Sequence, residues 1–119
     1  MTELHPTYDW HEAARLMVLS RTLDELEENE LVPQGLITYQ FSARGHELGQ
    51  VLLGQLMTHP FDAASVYYRS RPFVFSCGLT LDEALASDMA RASSMSGGRD
   101  IGVVFNMPRR GERSFAGSG

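Results

Sequence analysis

The helical spacing of apolar residues near the start of the chain is the strongest constraint on the fold. Asp9 is followed three residues later by Glu12, which is the spacing of a capping box at the start of a helix. The apolar residues beyond them recur every three or four positions, as on the buried face of a helix. They are Ala13, Leu16, Leu19, Leu23 and Leu26. We therefore predict a helix that begins after Asp9.

The far end of this helix is strongly acidic. Five of the seven residues from Asp24 to Glu30 are carboxylates. Negative charge at the C-terminal end of a helix opposes the helix dipole. We therefore predict a solvated, fraying helix end, with an acidic docking surface as the alternative.

Glycines and loop-forming residues shape the next part of the chain. A loop or extended segment is predicted up to Phe41, and a second helix is predicted after Gly45. Gly49 and Gly54 lie within that helix. Because glycine has no side chain, we expect both positions to pack closely against a neighbouring backbone.

Further signals predict a strand and two short helices. The stretch from Ala64 to Tyr68 is rich in β-forming residues, which indicates a strand. Ser70 with Pro72 two residues later is typical of a helix start. Thr80 and Glu83 have capping-box spacing and predict the next helix.

These elements predict one domain that is mostly α, with one or two short strands. The chain has 119 residues, which is the size of one small domain. The domain is expected to cover residues 1–108. Residues 109–119 show no periodicity and contain several serines and glycines, so a mobile tail is expected there.

Composition excludes several classes of function. The net charge of −5 argues against nucleic-acid binding, which needs a basic face. The single cysteine, Cys77, cannot form an internal disulfide, which is consistent with a reducing cytoplasm. The sequence shows no secretion signal and no apolar run near the ~20 residues of a membrane span. We expect a cytoplasmic protein without membrane contact.

The segment Tyr67–Pro72 is the best candidate for binding chemistry. Two tyrosines and two arginines stand where a predicted strand passes into a predicted helix, a position at which open α/β sheets bind ligands. An arginine fork, tyrosine hydroxyls and free amides at a helix start all suit a phosphate or diphosphate. The alternative is a surface arginine that pairs with a nearby carboxylate.

The order of several short motifs resembles the alpha subunits of thiamin-diphosphate-dependent 2-oxo acid dehydrogenases, over roughly residues 10 to 108. The matching motifs are Arg44-Gly45-His46-Glu47, Tyr67-Tyr68-Arg69-Ser70-Arg71, Gly78-Leu79-Thr80-Leu81-Asp82-Glu83 and Ser96-Gly97-Gly98-Arg99. The first helix, with Leu19-Ser20-Arg21-Thr22-Leu23-Asp24, is also similar to that of the family. The chain thus looks like an N-terminal fragment of the α/β thiamin-diphosphate-binding fold.

The resemblance implies a cofactor site and a substrate class. In the family a Tyr-Arg pair contacts the cofactor diphosphate, which implies this role for Tyr68 and Arg69, with Tyr67 beside them. Phe41 falls where pyruvate-specific members tend to have histidine, so Phe41 is the expected substrate residue. Together with Gly98-Arg99, it favours oxidative decarboxylation of a branched-chain 2-oxo acid.

The resemblance also implies partners and missing parts. In the family the site forms between alpha and beta subunits, and a lipoyl-bearing transacylase accepts the acyl group. The Gly-Asp-Gly stretch and the asparagine that bind Mg²⁺ lie beyond Gly119, so no metal residue is expected in this chain. The chain would then be an incomplete enzyme, inactive alone.

The alternative to an enzyme component is a truncated, non-catalytic helical interaction module. Such a module would act through the apolar faces of its helices. Under either hypothesis, we expect an isolated chain that is loosely packed or oligomeric.

Overall fold

A computed structural model describes residues 7–38, 40–103, 105–108, 110 and 115–117. It contains four α-helices: α1 (Trp10–Leu26), α2 (Glu47–Gln55), α3 (Arg71–Ser76) and α4 (Leu81–Asp88). A π-helical turn, Glu27–Leu31, continues α1 without a break. The described strands are β1 (Ala63–Ser65), β2 (Asn106–Met107) and β3 (Phe115–Gly117). The chain is therefore mostly helical with a few short strands, as the sequence predicts.

The predicted helix starts are confirmed at α1 and α4. The Asp9 side chain accepts a hydrogen bond from the Glu12 amide at 3.0 Å. Thr80 and Glu83 form the complete reciprocal capping box. In a complete capping box the Asp9 amide would donate to the Glu12 side chain. Here it donates instead to the Gln55 side chain at 2.9 Å. Gln55 therefore ties the start of α1 to the end of α2.

The prediction of a fraying acidic end on α1 is wrong. The helix continues as the π-helical turn, and both Asp24 and Glu27 are buried. Their burial is possible because a buried arginine, Arg71, pairs with both carboxylates. Two of the five acidic residues therefore belong to the interior, whereas Glu25 and Glu30 are exposed, as predicted for a solvated end.

Helices α1, α2 and α3 pack together around the apolar core. Val51 of α2 and Val74 of α3 are fully buried in it. A methyl group at Gly54 would overlap the Ser76 side chain, which donates to the Val51 carbonyl at 2.7 Å. Close approach at Gly54 is thus confirmed, whereas Gly49 has nothing within 4 Å of the position of a methyl group. The close approach predicted at Gly49 is wrong.

The three strands form one sheet in the order β1-β3-β2. β3 pairs parallel with β1 and antiparallel with β2. The strand predicted at Ala64–Tyr68 begins one residue earlier and ends at Ser65, so Tyr67 and Tyr68 follow it in a turn. β3 lies in the segment 109–119, for which the sequence predicts a mobile tail. The pairing of its three residues was not predicted.

Candidate functional site

The turn after β1 is shaped by Ser70. Its hydroxyl accepts from the Tyr67 amide at 3.1 Å, and its own amide donates to the Tyr67 carbonyl at 2.9 Å. The predicted helix start at Ser70 is confirmed by α3, although the Ser70 side chain bonds back to the turn and makes no capping bond to the helix. This turn presents Tyr67 and Tyr68 at the surface, with 53% and 49% of their areas exposed.

The Arg69 side chain lies against two aromatic rings. Its guanidinium carbon is 5.3 Å from the centroid of the Phe41 ring and 5.4 Å from that of Tyr68. The two ring centroids are 4.5 Å apart. These distances are typical of cation–π contacts. The structure therefore brings together the predicted substrate residue Phe41 and the predicted cofactor residues Tyr68 and Arg69, with the Tyr67 ring 5.2 Å from that of Tyr68.

Hydrogen bonds fix the position of Arg69. Its Nη1 donates to the Ser42 carbonyl at 2.7 Å. The Gln50 side chain accepts from the Phe73 amide at 3.2 Å and donates to the Arg69 carbonyl at 3.0 Å. The arginine is thus held by the loop before α2 and by α2 itself.

Arg69 and Arg71 differ in their access to an anion. Within the described part of the chain, Arg69 forms no ion pair with a carboxylate. Arg71 is buried and pairs with Asp24 and Asp88 at 2.6 Å each, and also with Glu27. The charge of Arg71 is therefore satisfied internally. Arg69 is the guanidinium of this segment that remains available to an external anion.

The carboxylates around Arg71 have unusual protonation behaviour. Burial and the nearby carboxylate of Glu27 together raise the pKa of Asp88 to about 8, while Arg71 opposes the shift. Burial also raises the pKa of Asp24, against the effects of Arg71 and of a hydrogen bond from Ser42. Burial beside a single guanidinium therefore favours the neutral form at Asp88 and, more weakly, at Asp24.

A small cavity lies between the Phe41–Tyr68 pair and the buried cluster around Arg71. It encloses about 40 Å³, which is room for a few water molecules. Its lining includes Phe41 and Tyr68 on one side and the buried groups Glu27, Arg71 and Asp88 on the other. Ligand pockets usually occupy ~300–1,000 Å³, so a large ligand bound at this place would lie over the surface at Arg69 and not inside this cavity.

The spacing Gly45-x-Glu47 has a structural role. The Glu47 carboxylate accepts from the Gly45 amide at 2.7 Å and from Arg21 Nε at 2.8 Å. Burial alone would raise the pKa of Glu47, but hydrogen bonds with its own backbone amide, with Arg21 and with the Gly45 amide together lower the pKa. This motif therefore joins the start of α2 to α1.

The Gly98-Arg99 pair lies in a turn after α4. The Gly98 amide donates to the Ser94 hydroxyl at 3.0 Å, and a methyl group at Gly98 would lie 2.8 Å from the Ala90 carbonyl. Its φ of +84° also favours glycine. The glycine is therefore required by the local backbone.

The buried cluster of Asp24, Glu27, Arg71 and Asp88 was not predicted from the sequence. Its only sequence signal is the three-residue spacing of Asp24 and Glu27, which places them on one face of a helix.

No group of three or more histidine, cysteine or acidic side chains in the described part of the chain could hold a metal ion. Likewise, none of the described helices is both long and apolar enough to cross a membrane.

A scan against models of protein families finds no match, and no curated protein sequence matches this chain.

Proposed function

We propose that this chain is the N-terminal part of an alpha-type component of a thiamin-diphosphate-dependent 2-oxo acid dehydrogenase, within the α/β fold of that family. The proposed reaction is oxidative decarboxylation of a branched-chain 2-oxo acid in the cytoplasm. A beta subunit and a lipoyl transacylase would be its partners. The observation that carries the proposal is the environment of Arg69, which has aromatic neighbours and no carboxylate partner among the described residues.

The surface at Arg69 has the chemistry of a diphosphate site. The guanidinium can donate hydrogen bonds to phosphate oxygens, and the half-exposed Tyr67 and Tyr68 can add phenol donors. One guanidinium balances only part of a diphosphate charge. Mg²⁺ would balance more of it, with ligands supplied from outside this chain.

The roles of this chain would be to bind and orient. Arg69 would hold the diphosphate, while Phe41 would present an apolar surface to the branched side chain of the substrate. The bound cofactor would supply the carbanion chemistry through its thiazolium ring.

Calorimetric titration with thiamin diphosphate and Mg²⁺ tests the proposal. Arg69→Ala should weaken binding by ~10- to 100-fold, because a hydrogen bond to a charged group is worth ~1.5–3 kcal/mol. Arg91→Ala is the matched control, since Arg91 is exposed and forms no ion pair with a described carboxylate. Thiamin without phosphates should bind the original protein and Arg69→Ala equally. Equal diphosphate affinity in Arg69→Ala and Arg91→Ala would contradict the proposal.

The exposed side of α2 favours a second candidate function, a non-catalytic interaction module. Leu48, Leu53 and Leu56 are each exposed by 41% or more, and the open Gly49 lies on the same side of the helix. Exposed apolar surface of this kind marks sites of association. This module would form oligomers or bind another chain without any cofactor.

Sedimentation of variants tests the second candidate. Leu53→Ser combined with Leu56→Ser should shift the protein toward monomer. Phe61→Ser is the control, because Phe61 is 90% exposed and lies in the turn after α2, outside the helix. A monomer at all concentrations before substitution would rule out self-association through α2.

A further inference from the structure

The carboxylates of Glu27 and Asp88 meet at the buried guanidinium of Arg71. Nη1 of Arg71 lies 2.6 Å from Asp88 Oδ2, and Nη2 bonds both Asp24 Oδ1, at 2.6 Å, and Glu27 Oε1. Glu27 Oε2 is buried and has no hydrogen-bond partner among the described residues. An acceptor left unsatisfied in the interior is costly.

The walls around Glu27 Oε2 supply no donor to it. Gln40 and Ser42 both donate to Asp24, at 2.7 and 2.9 Å. Residues 101–103, which form another wall, carry no ionisable side chain. The remaining cavity-lining groups that can titrate or carry charge are Arg71, Asp88 and the phenol of Tyr68.

We propose that Glu27 and Asp88 share one proton, which Asp88 carries and donates to Glu27 Oε2, and that this proton holds the cavity beneath Phe41 and Tyr68 closed. The proton satisfies the buried acceptor. It also reduces the cluster from three negative charges to two around one guanidinium. The proposal is independent of which ligand binds at Arg69.

The end of α4 is the part that would move when the proton leaves. The Asp88 side chain is 12% exposed, against 2% for Asp24 and 1% for Glu27, so Asp88 has the shortest path to water. The Ser87 hydroxyl donates to the Gly102 carbonyl at 2.5 Å. Movement of Asp88 would therefore carry residues 101–103 with it and open the cavity.

The direction of the pH effect follows from the raised pKa of Asp88. Burial raises the pKa of Asp88 from 3.8 to about 8 in the closed form. A carboxyl group whose pKa is higher in the closed form stabilises that form fully at low pH. This stabilisation falls as the pH rises from about 4 to about 8. Opening should therefore increase toward alkaline pH.

Two measurements on the full chain test the proposal. Carboxyl carbon NMR should show Asp88 titrating near pH 8, and Glu27→Gln should lower that midpoint by removing a neighbouring negative charge. Hydrogen exchange should report opening at the amides of Met89, Ala90 and Arg91, whose bonds close the end of α4. Corrected for intrinsic exchange, their protection should fall by up to tenfold per pH unit as the pH approaches 8.

Asp88→Asn distinguishes opening caused by deprotonation of Asp88 from a general loss of protection at alkaline pH. The asparagine amide can donate permanently to Glu27 Oε2 while its oxygen accepts from Arg71, so protection should not depend on pH. Asp82→Asn is the matched control, because Asp82 is exposed in the first turn of the same helix, and it should behave like the original protein. An Asp88 midpoint near 4 would overturn the proposal, even if Asp88→Asn fails to fold. Identical pH dependence in the original protein and a folded Asp88→Asn would also overturn it.

Discussion

The guanidinium of Arg71 lies 2.6 Å from the carboxylate of Asp24, although 47 positions separate the two residues in the chain. Through the same side chain, Arg71 reaches Glu27 and Asp88. One residue therefore joins α1, the π-helical turn, α3 and α4. Removing it would leave several buried acidic groups without their cation.

Arg71→Met should destabilise the fold strongly. Breaking a buried ion pair from one side typically costs ~3–5 kcal/mol, because the remaining charges stay buried and uncompensated. Urea unfolding followed by circular dichroism measures the loss. Arg69→Met is the control, since Arg69 is only half-buried and makes no described ion pair. Equal losses in the two variants would contradict a special role for the cluster.

Gly54→Ala and Gly49→Ala should change stability in opposite directions. At Gly54 the added methyl group overlaps Ser76, and overpacking of this kind costs ~1–3 kcal/mol. At Gly49 the methyl group meets nothing within 4 Å, so the higher helix propensity of alanine should add ~0.5–1 kcal/mol. Thermal unfolding of both variants tests this contrast. A stabilising Gly54→Ala would show that α2 and α3 are not in close contact there.

Ala90→Gly should stabilise the end of α4. Ala90 has a φ of +52°, in the left-handed region that glycine adopts readily. The Arg91 amide donates to the Ala86 carbonyl at 2.8 Å and the Ala90 amide to the Ser87 carbonyl at 3.2 Å, as in a Schellman motif. We expect a gain of about 1 kcal/mol in chemical unfolding. Ala14→Gly, in the exposed interior of α1, should instead lose about 1 kcal/mol.

The pair of Glu83 and Arg110 should contribute stability that disappears in acid. A hydrogen bond from Arg110 is the main reason that the pKa of Glu83 falls from 4.5 to about 2. Because the folded value is the lower one, the contribution is present above pH 4.5 and is lost as the pH falls through about 2.

The measurement compares the unfolding free energy of the original protein with that of Arg110→Met across this range. The difference should be at most ~1 kcal/mol at pH 6, because the pair is partly exposed, and it should shrink toward pH 2. Arg15→Met breaks an exposed pair within one helix and serves as the control. A difference that grows in acid would contradict the proposed origin of the shift.

Local features of the fold could be predicted from the sequence. The caps at Asp9 and Thr80 depend on residues three positions apart, and the proline in the first turn of α3 acts through its own backbone. Such signals do not need tertiary contacts. The burial of Asp24 could not be predicted, because its partner Arg71 comes from a distant part of the chain.

The local part of the candidate site could also be predicted from the sequence, whereas its long-range contacts could not. Tyr67, Tyr68 and Arg69 are consecutive, so their proximity follows from the sequence. The contact of Arg69 with Phe41 depends on how the loop before α2 folds back, and no local pattern specifies that. Arg69 and Arg71 differ because distant carboxylates pair with Arg71 only, and no local pattern specifies that. The three-residue strand β3 escaped prediction because its pairing partners are distant in sequence.

The central position of β3 in the sheet has a consequence for synthesis on the ribosome. β1 pairs with β3 in parallel, so the edge of β1 must wait until Phe115–Gly117 has left the exit tunnel. Helices α3 and α4 are translated in the interval and can form first. A nascent chain in which α4, but not β3, has left the tunnel would therefore have its helices in place while β1 still offered an open edge to chaperones or to other nascent chains.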